Sequence, residues 1–152
     1  MLPTPKRVKL TAGAAEGDQP LTAFDKALLQ AGIGNLNLIK VSSILPPRCT
    51  YEEEFPIPPG SLTPTAYGTL VSTEPGKEIS AAIALGFSRD DYGVIMEFSG
   101  YCGEEEARSR VEAMVREAFA IRGKELVDIR TVAVSHRVEK TGAVVAAAVL
   151  WY

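Results

Sequence analysis

The order of apolar and polar residues divides the chain into short stretches with different patterns. Val8 and Leu10 alternate with polar neighbours, between Pro3 and Pro5 on one side and Gly13, Gly17 and Pro20 on the other. This predicts a leading strand or arm followed by a loop over residues 1–20. Ala23, Phe24, Ala27, Leu28 and Ala31 then recur at helical spacing, which predicts a helix over 22–31, capped by Thr22 and stopped by a left-handed Gly32. Leu36, Leu38, Ile39, Val41, Ile44 and Leu45 lack that period and run into Pro46-Pro47. They predict a single, largely buried strand with Ser42-Ser43 near its C-terminal end.

Pro46, Pro47, Pro56, Pro58, Pro59 and Pro64 surround the acidic residues Glu52, Glu53 and Glu54, so residues 46–64 read as a long, stiff surface connection. Strands are predicted at 66–73, 79–87 and 92–99. The turn sequences Glu74-Pro75-Gly76 and Arg89-Asp90-Asp91 separate them, as in an antiparallel meander. Glu104, Glu105 and Glu106 suit the positive end of a helix dipole and open a helix with Ala107, Val111, Met114, Val115, Ala118 and Phe119 on one stripe, ending near Gly123. Two more strands are predicted at 126–137 and 142–151, the last apolar on both faces and therefore central in a sheet or buried at an interface.

Two helices and about six strands make an α+β fold, a layered αββα sandwich of mainly antiparallel sheets with helices on the outer faces. Helices and strands alternate too little for a parallel nucleotide-binding sheet. Gly32-Ile33-Gly34 follows a helix and precedes a strand, the reverse of a phosphate-binding turn.

Composition narrows the function classes. A chain of 152 residues with 46% apolar and 23% charged residues suits one domain, 1–152, with a sizeable core. A net charge of −3 does not supply the basic face that nucleic acid requires. The longest apolar run, 142–152, is too short to span a bilayer and no leader pattern is present, so a cytoplasmic protein with reduced thiols is expected. Cys49 and Cys102 are isolated and His136 is remote from both in sequence, so no metal site is expected.

Candidate chemistry is sparse. There is no Gly-x-Ser-x-Gly elbow, and the sole histidine, His136, reads as a structural or exposed strand residue. Glu97 lies in the apolar stretch Val94-Ile95-Met96-Glu97-Phe98. It is either a solvent-facing strand residue or a partly desolvated acid with a raised pKa, suited to general acid work. Asp25 reads as the N3 acid of a capping box opened by Thr22, and Asn37 as a polar strand residue. A Ser-Ser pair carries little information by itself.

Taken together, Ala23-Phe24-Asp25-Lys26-Ala27-Leu28-Leu29, Ala31-Gly32-Ile33-Gly34-Asn35, Asn37-Leu38-Ile39 and Ser42-Ser43-Ile44-Leu45-Pro46-Pro47 resemble the pyruvoyl-dependent arginine decarboxylase family. The resemblance continues through residues 93–100, the helix after Gly103, and the ending from Val138-Glu139-Lys140 to Trp151-Tyr152. It departs from the family at Lys26, where a glycine is usual.

The resemblance implies self-cleavage between Ser42 and Ser43, giving a β chain 1–42 and an α chain 43–152 that begins with a pyruvoyl group derived from Ser43. It implies decarboxylation of L-arginine to agmatine through a Schiff base on that group, without metal or pyridoxal phosphate. Glu97 would be the proton donor and Asn37 a hydrogen-bonding assistant, while Asp25 would pair with the substrate guanidinium. It also implies homotrimers, sometimes paired as hexamers, with active sites between subunits. Two alternatives stay open: a pyruvoyl decarboxylase of another amino acid such as histidine, and an uncleaved, non-catalytic oligomeric binding protein of the same fold.

Overall fold

A computed structural model describes residues 2–152. One sheet has the strand order β2-β5-β9-β1-β4 and the other β3-β7-β6-β8, mostly antiparallel. The strands are β1 (Arg7–Glu16), β2 (Asn37–Lys40), β3 (Ile44–Leu45), β4 (Thr50–Tyr51), β5 (Leu62–Ser72), β6 (Glu78–Phe87), β7 (Gly93–Gly100), β8 (Asp128–Arg137) and β9 (Gly142–Trp151). The helices are α1 (Pro20–Gln30) and α2 (Glu104–Arg122). No described helix is long and apolar enough to cross a membrane.

The layers follow from alternation along β9. Val144, Ala146, Ala148 and Leu150 face Ile79, Ala81, Ile83, Leu85 and Ile95 of the second sheet. Ala143, Val145, Ala147 and Val149 face Ala23, Ala27 and Leu28 of α1. A strand that buries both faces has no polar side to show, which is why it reads as apolar throughout, and it lies mid-sheet between β5 and β1. On the other flank α2 lays Ala107, Val111, Val115 and Phe119 over Ala82, Ala84 and Val94. The result is the expected αββα sandwich. Gly13 lets α1 approach β1 closely, since a Cβ there would sit 2.3 Å from the Ala27 carbonyl oxygen.

Several local expectations are corrected. Helix α1 begins at Pro20, in the first turn, where a missing N–H breaks no bond. Thr22 is therefore an N3 residue whose hydroxyl accepts from the Gln19 N–H at 3.1 Å, and Asp25 is not a capping-box acid. The stop at Gly32 is as expected, with φ +80°. The leading strand extends to Glu16. Residues 46–64 include the two-residue β4, parallel to β1, and the start of β5. Pro64 fits within β5 because the ladder with β9 starts at Thr65. The meander is confined to β6 and β7, since β5 belongs to the other sheet.

The largest correction concerns 36–45. The stretch is two strands in different sheets: β2 pairs in parallel with β5, and β3 pairs antiparallel with β7. Both are edge strands, and only Leu45 among their residues is buried. The chain crosses between the sheets at 41–43.

Two polar anchors tie the layers together. Lys9, buried on β1, donates to the Phe55 carbonyl at 2.9 Å and pairs with Glu54, seating the proline-rich connection on the first sheet. Glu16 closes the β8–β9 turn: its carboxylate meets His136 Nε2 at 2.6 Å and accepts N–H bonds from Glu139 at 3.1 Å, Lys140 at 2.9 Å and Thr141 at 3.1 Å. Desolvation pushes its pKa up, but His136 and the three N–H groups outweigh that and leave it at about 2.

A carboxylate whose folded pKa is depressed stabilises the fold above its unfolded pKa, and that contribution fades as pH falls through the folded value. Discounted for solvent screening, it amounts to about 1–2 kcal/mol. Urea melts of Glu16→Gln and the parent should differ by that amount at pH 7 and converge between the ordinary carboxylate range and pH 2. An equal gap at both ends would refute the linkage.

Candidate active site

The crossover between the sheets fixes the Ser42-Ser43 peptide from both sides. Upstream, the Val41 N–H donates to the Thr65 carbonyl of β5 at 3.1 Å. Downstream, the Ser43 carbonyl accepts from the Ile95 N–H of β7 at 2.8 Å, and Ile44 and Leu45 continue that pairing against Val94 and Gly93. Ser42 is exposed and Ser43 half-buried. Beside them is a small apolar cleft of about 250 Å³, walled by Pro5, Val41, Ile44, Pro64, Leu150 and Tyr152.

Glu97 lies two residues along β7 from the Ile95 bond, directly across from Ile83 of β6, whose side chain is in the core between the sheets. Glu97 faces the same inner side. Gly68 of β5 makes room for it, since a Cβ on Gly68 would come within 3.3 Å of the Glu97 Cβ. The half-buried carboxyl has one oxygen, Oε1, 3.6 Å from Lys40 Nζ. The other, Oε2, is buried and has no hydrogen-bond partner among the described residues. Burial raises the pKa of this group, and the Lys40 ammonium partly offsets the rise. The open question about Glu97 is thus decided: it is a partly desolvated acid on an inner face.

The single chain does not bring Asn37 and Asp25 to this place. Asn37 opens β2, exposed, and its Nδ2 donates to the Gly60 carbonyl at 2.9 Å. At about 3.3 Å per residue it is about 13 Å back along the strand from Val41. Asp25 is on an exposed part of α1, which covers the outer face of the first sheet, whereas Glu97 faces the space between the sheets. His136 belongs to the Glu16 anchor and not to the crossover. No group of three or more His, Cys, Asp or Glu among the described residues could hold a metal ion.

Comparison with known proteins gives the context for this geometry. Residues 7–152 match the family model described as pyruvoyl-dependent arginine decarboxylase. The chain belongs to that family.

A protein of Methanocaldococcus jannaschii named pyruvoyl-dependent arginine decarboxylase is 49% identical over 150 residues, covering 97% of this chain and 91% of the relative. A Pyrococcus furiosus protein of the same name is 47% identical over 152 residues, covering 97% and 96%. For the pyruvoyl group that names the family, the surroundings of position 43 are suitable. The backbone is held on both sides, and a buried carboxyl oxygen with no hydrogen-bond partner among the described residues sits on the adjoining strand.

Lys40, Tyr67 and Gly68 escape a reading of the sequence alone. Each acts through the juxtaposition of β2, β5 and β7, and no local pattern reports that pairing. The only available signal is the unusual glycine in the apolar β5 run.

Proposed function

We propose that the chain cuts itself between Ser42 and Ser43 and, as a pyruvoyl enzyme, decarboxylates L-arginine to agmatine and CO2 in the cytoplasm. The observation that carries this is the Ser42-Ser43 peptide strung between two sheets, with the buried Oε2 of Glu97 on the adjoining strand lacking a hydrogen-bond partner among the described residues, in a member of this family.

In the self-cleavage, Ser43 Oγ attacks the carbonyl carbon of Ser42 and the amide becomes an ester. Loss of the α-proton of residue 43 expels the Ser42 carboxylate and leaves dehydroalanine, which takes up water and releases ammonia. The products are chains 1–42 and 43–152. A backbone held by both sheets keeps hydroxyl and carbonyl in register, so that little orientational freedom remains to be lost on reaction.

Once formed at position 43, the pyruvoyl group would supply a ketone able to bind the substrate amine covalently and a conjugated carbonyl able to take up the electron pair left by CO2. Glu97, whose proton affinity burial raises, then gives its proton to the substrate carbon. Asn37 and Asp25 act toward the site of a neighbouring subunit, Asn37 as a hydrogen-bonding group and Asp25 as a bidentate partner of the guanidinium. Their distance from Glu97 within one chain supports this assignment, as do the exposed apolar residues Ile39, Ile44 and Leu62 around β2 and β3. The assembly is a trimer or paired trimers.

Intact mass under denaturing conditions tests the cut. Two chains dividing after residue 42, the longer lighter by one ammonia than a free serine terminus requires, are expected, together with CO2 release from arginine in preference to histidine. A single chain that persists through long incubation would overturn the proposal in favour of a non-catalytic oligomer.

A further inference from the structure

Lys40 is the last residue of β2, just upstream of the crossover, and its ammonium has two neighbours. One is Glu97 Oε1 at 3.6 Å, and the other is the Tyr67 ring, whose centroid is 4.8 Å away. Tyr67 is itself propped against Phe24 of α1, with ring centroids 6.3 Å apart. The lysine is thus set between an aromatic face and one oxygen of the acid. A lysine in an ordinary surface ion pair ranges freely and contributes little. Here the ring provides a second attachment that draws the ammonium toward one place.

The groups that face Glu97 are few. β2 presents Lys40, β5 presents Gly68 with Tyr67 beside the lysine, and β6 presents Ile83. Among the described residues, Lys40 is the one charge that acts on the carboxyl.

We propose that Lys40 is a positioning residue for the acid: its ammonium occupies Oε1 of Glu97, which leaves Oε2 as the oxygen that carries the transferable proton. This deepens the decarboxylase reading and rests on it. A neutral carboxyl beside an ammonium turns its acceptor oxygen to the cation and keeps its O–H on the other oxygen, because an O–H directed at an ammonium would meet a donor. In the protonated acid the O–H is therefore at Oε2, the buried atom with no hydrogen-bond partner among the described residues. When that proton passes to the substrate carbon, the carboxylate left behind has its counter-ion 3.6 Å away. The proton is later restored from water. Burial raises the proton affinity of Glu97 and Lys40 lowers it, so the lysine makes the acid a readier proton donor.

Two measurements separate this inference from the reading beneath it. In a Ser43→Ala background, which needs no cleavage, the Glu97 carboxyl is titrated by carbon NMR with Lys40 and with Lys40→Met. The lysine variant should titrate about one pH unit higher, a tenfold change in its proton affinity. In the cleaved enzyme, Lys40→Met should move the alkaline limb of kcat up by about as much. On the plateau below that limb, where the acid is fully protonated in both proteins, it should lower kcat several-fold with KM for arginine within about twofold, and Lys40→Arg should restore most of both.

An unmoved titration in the uncut chain overturns the pairing. A titration that moves while the alkaline limb of kcat stays put overturns the positioning role and leaves a plain surface ion pair. Failure of the decarboxylase reading itself appears separately, as a parent protein that is never cut.

Discussion

A Ser43→Ala chain is expected to remain a single uncut polypeptide and to lose arginine decarboxylation by at least about 10⁴-fold, the scale seen when an enzyme loses its nucleophile. The substitution removes one hydroxyl from a half-buried residue whose backbone carbonyl stays bonded to the Ile95 N–H, so the fold should be unaffected. Ser42→Ala is the informative control. Position 42 contributes only its carbonyl to the cut, and its exposed side chain has no hydrogen-bond partner among the described residues, so this variant should still divide after residue 42. The measurement is intact mass of both variants, followed by CO2 release. A Ser43→Ala chain that is still cut, or that stays uncut but remains active, would remove Ser43 as the source of the electrophile.

The second large effect belongs to Glu97. Replacing it with Gln keeps shape and volume and removes the ionisable proton, and kcat should fall about 10²–10³-fold, as for loss of a general acid. Processing into two chains should persist, which intact mass would verify. The pH dependence has a definite sign. Burial raises the Glu97 pKa, and with Glu97 in the proposed role of proton donor the protonated form is the active one, so parent activity should decline as pH rises through that value. The Gln variant should lose that limb.

Stability runs in parallel. A carboxyl with a raised folded pKa contributes stability that is fully present below its unfolded pKa and is lost as pH rises through the folded one. Glu97→Gln should therefore be neutral or slightly stabilising at pH 8. A variant that keeps full kcat with an unchanged pH profile would exclude Glu97 as the proton donor.

Which parts of this structure can be read from the sequence depends on whether the information is local. Helix α2 is legible because Glu104, Glu105 and Glu106 mark one end, Gly123 in a left-handed conformation marks the other, and its stripe faces a single partner layer. The central place of β9 is legible because both its faces are apolar. The break within 36–45 is not. Leu38, Ile39, Val41, Ile44 and Leu45 follow one another with no proline or glycine between them, and only their partners, β5 on one side and β7 on the other, divide the stretch between two sheets. Glu97 shows the same limit: its neighbours suggest desolvation, but its register opposite Ile83 and the room left by Gly68 on the other sheet are what place it on the inner face. The start of α1 differs from the expected one for a smaller reason, since Pro20 reads as a breaker but is tolerated in a first turn.

The strand order of the first sheet has a consequence for the life history of the molecule. A cut after residue 42 assigns β1 and β2 to the short polypeptide and β4, β5 and β9 to the long one, so the sheet interleaves two molecules, with β1 paired to β9 from Arg7 to Glu16. The precursor folds as a one-body event. Once cut and unfolded, the same sheet must be rebuilt from two separate bodies that first have to find each other, at a rate that depends on their concentration. Such a cleavage would act as a ratchet: assembly is easy in one direction and would become dilution-sensitive on return, so a cut protein would in effect be folded once.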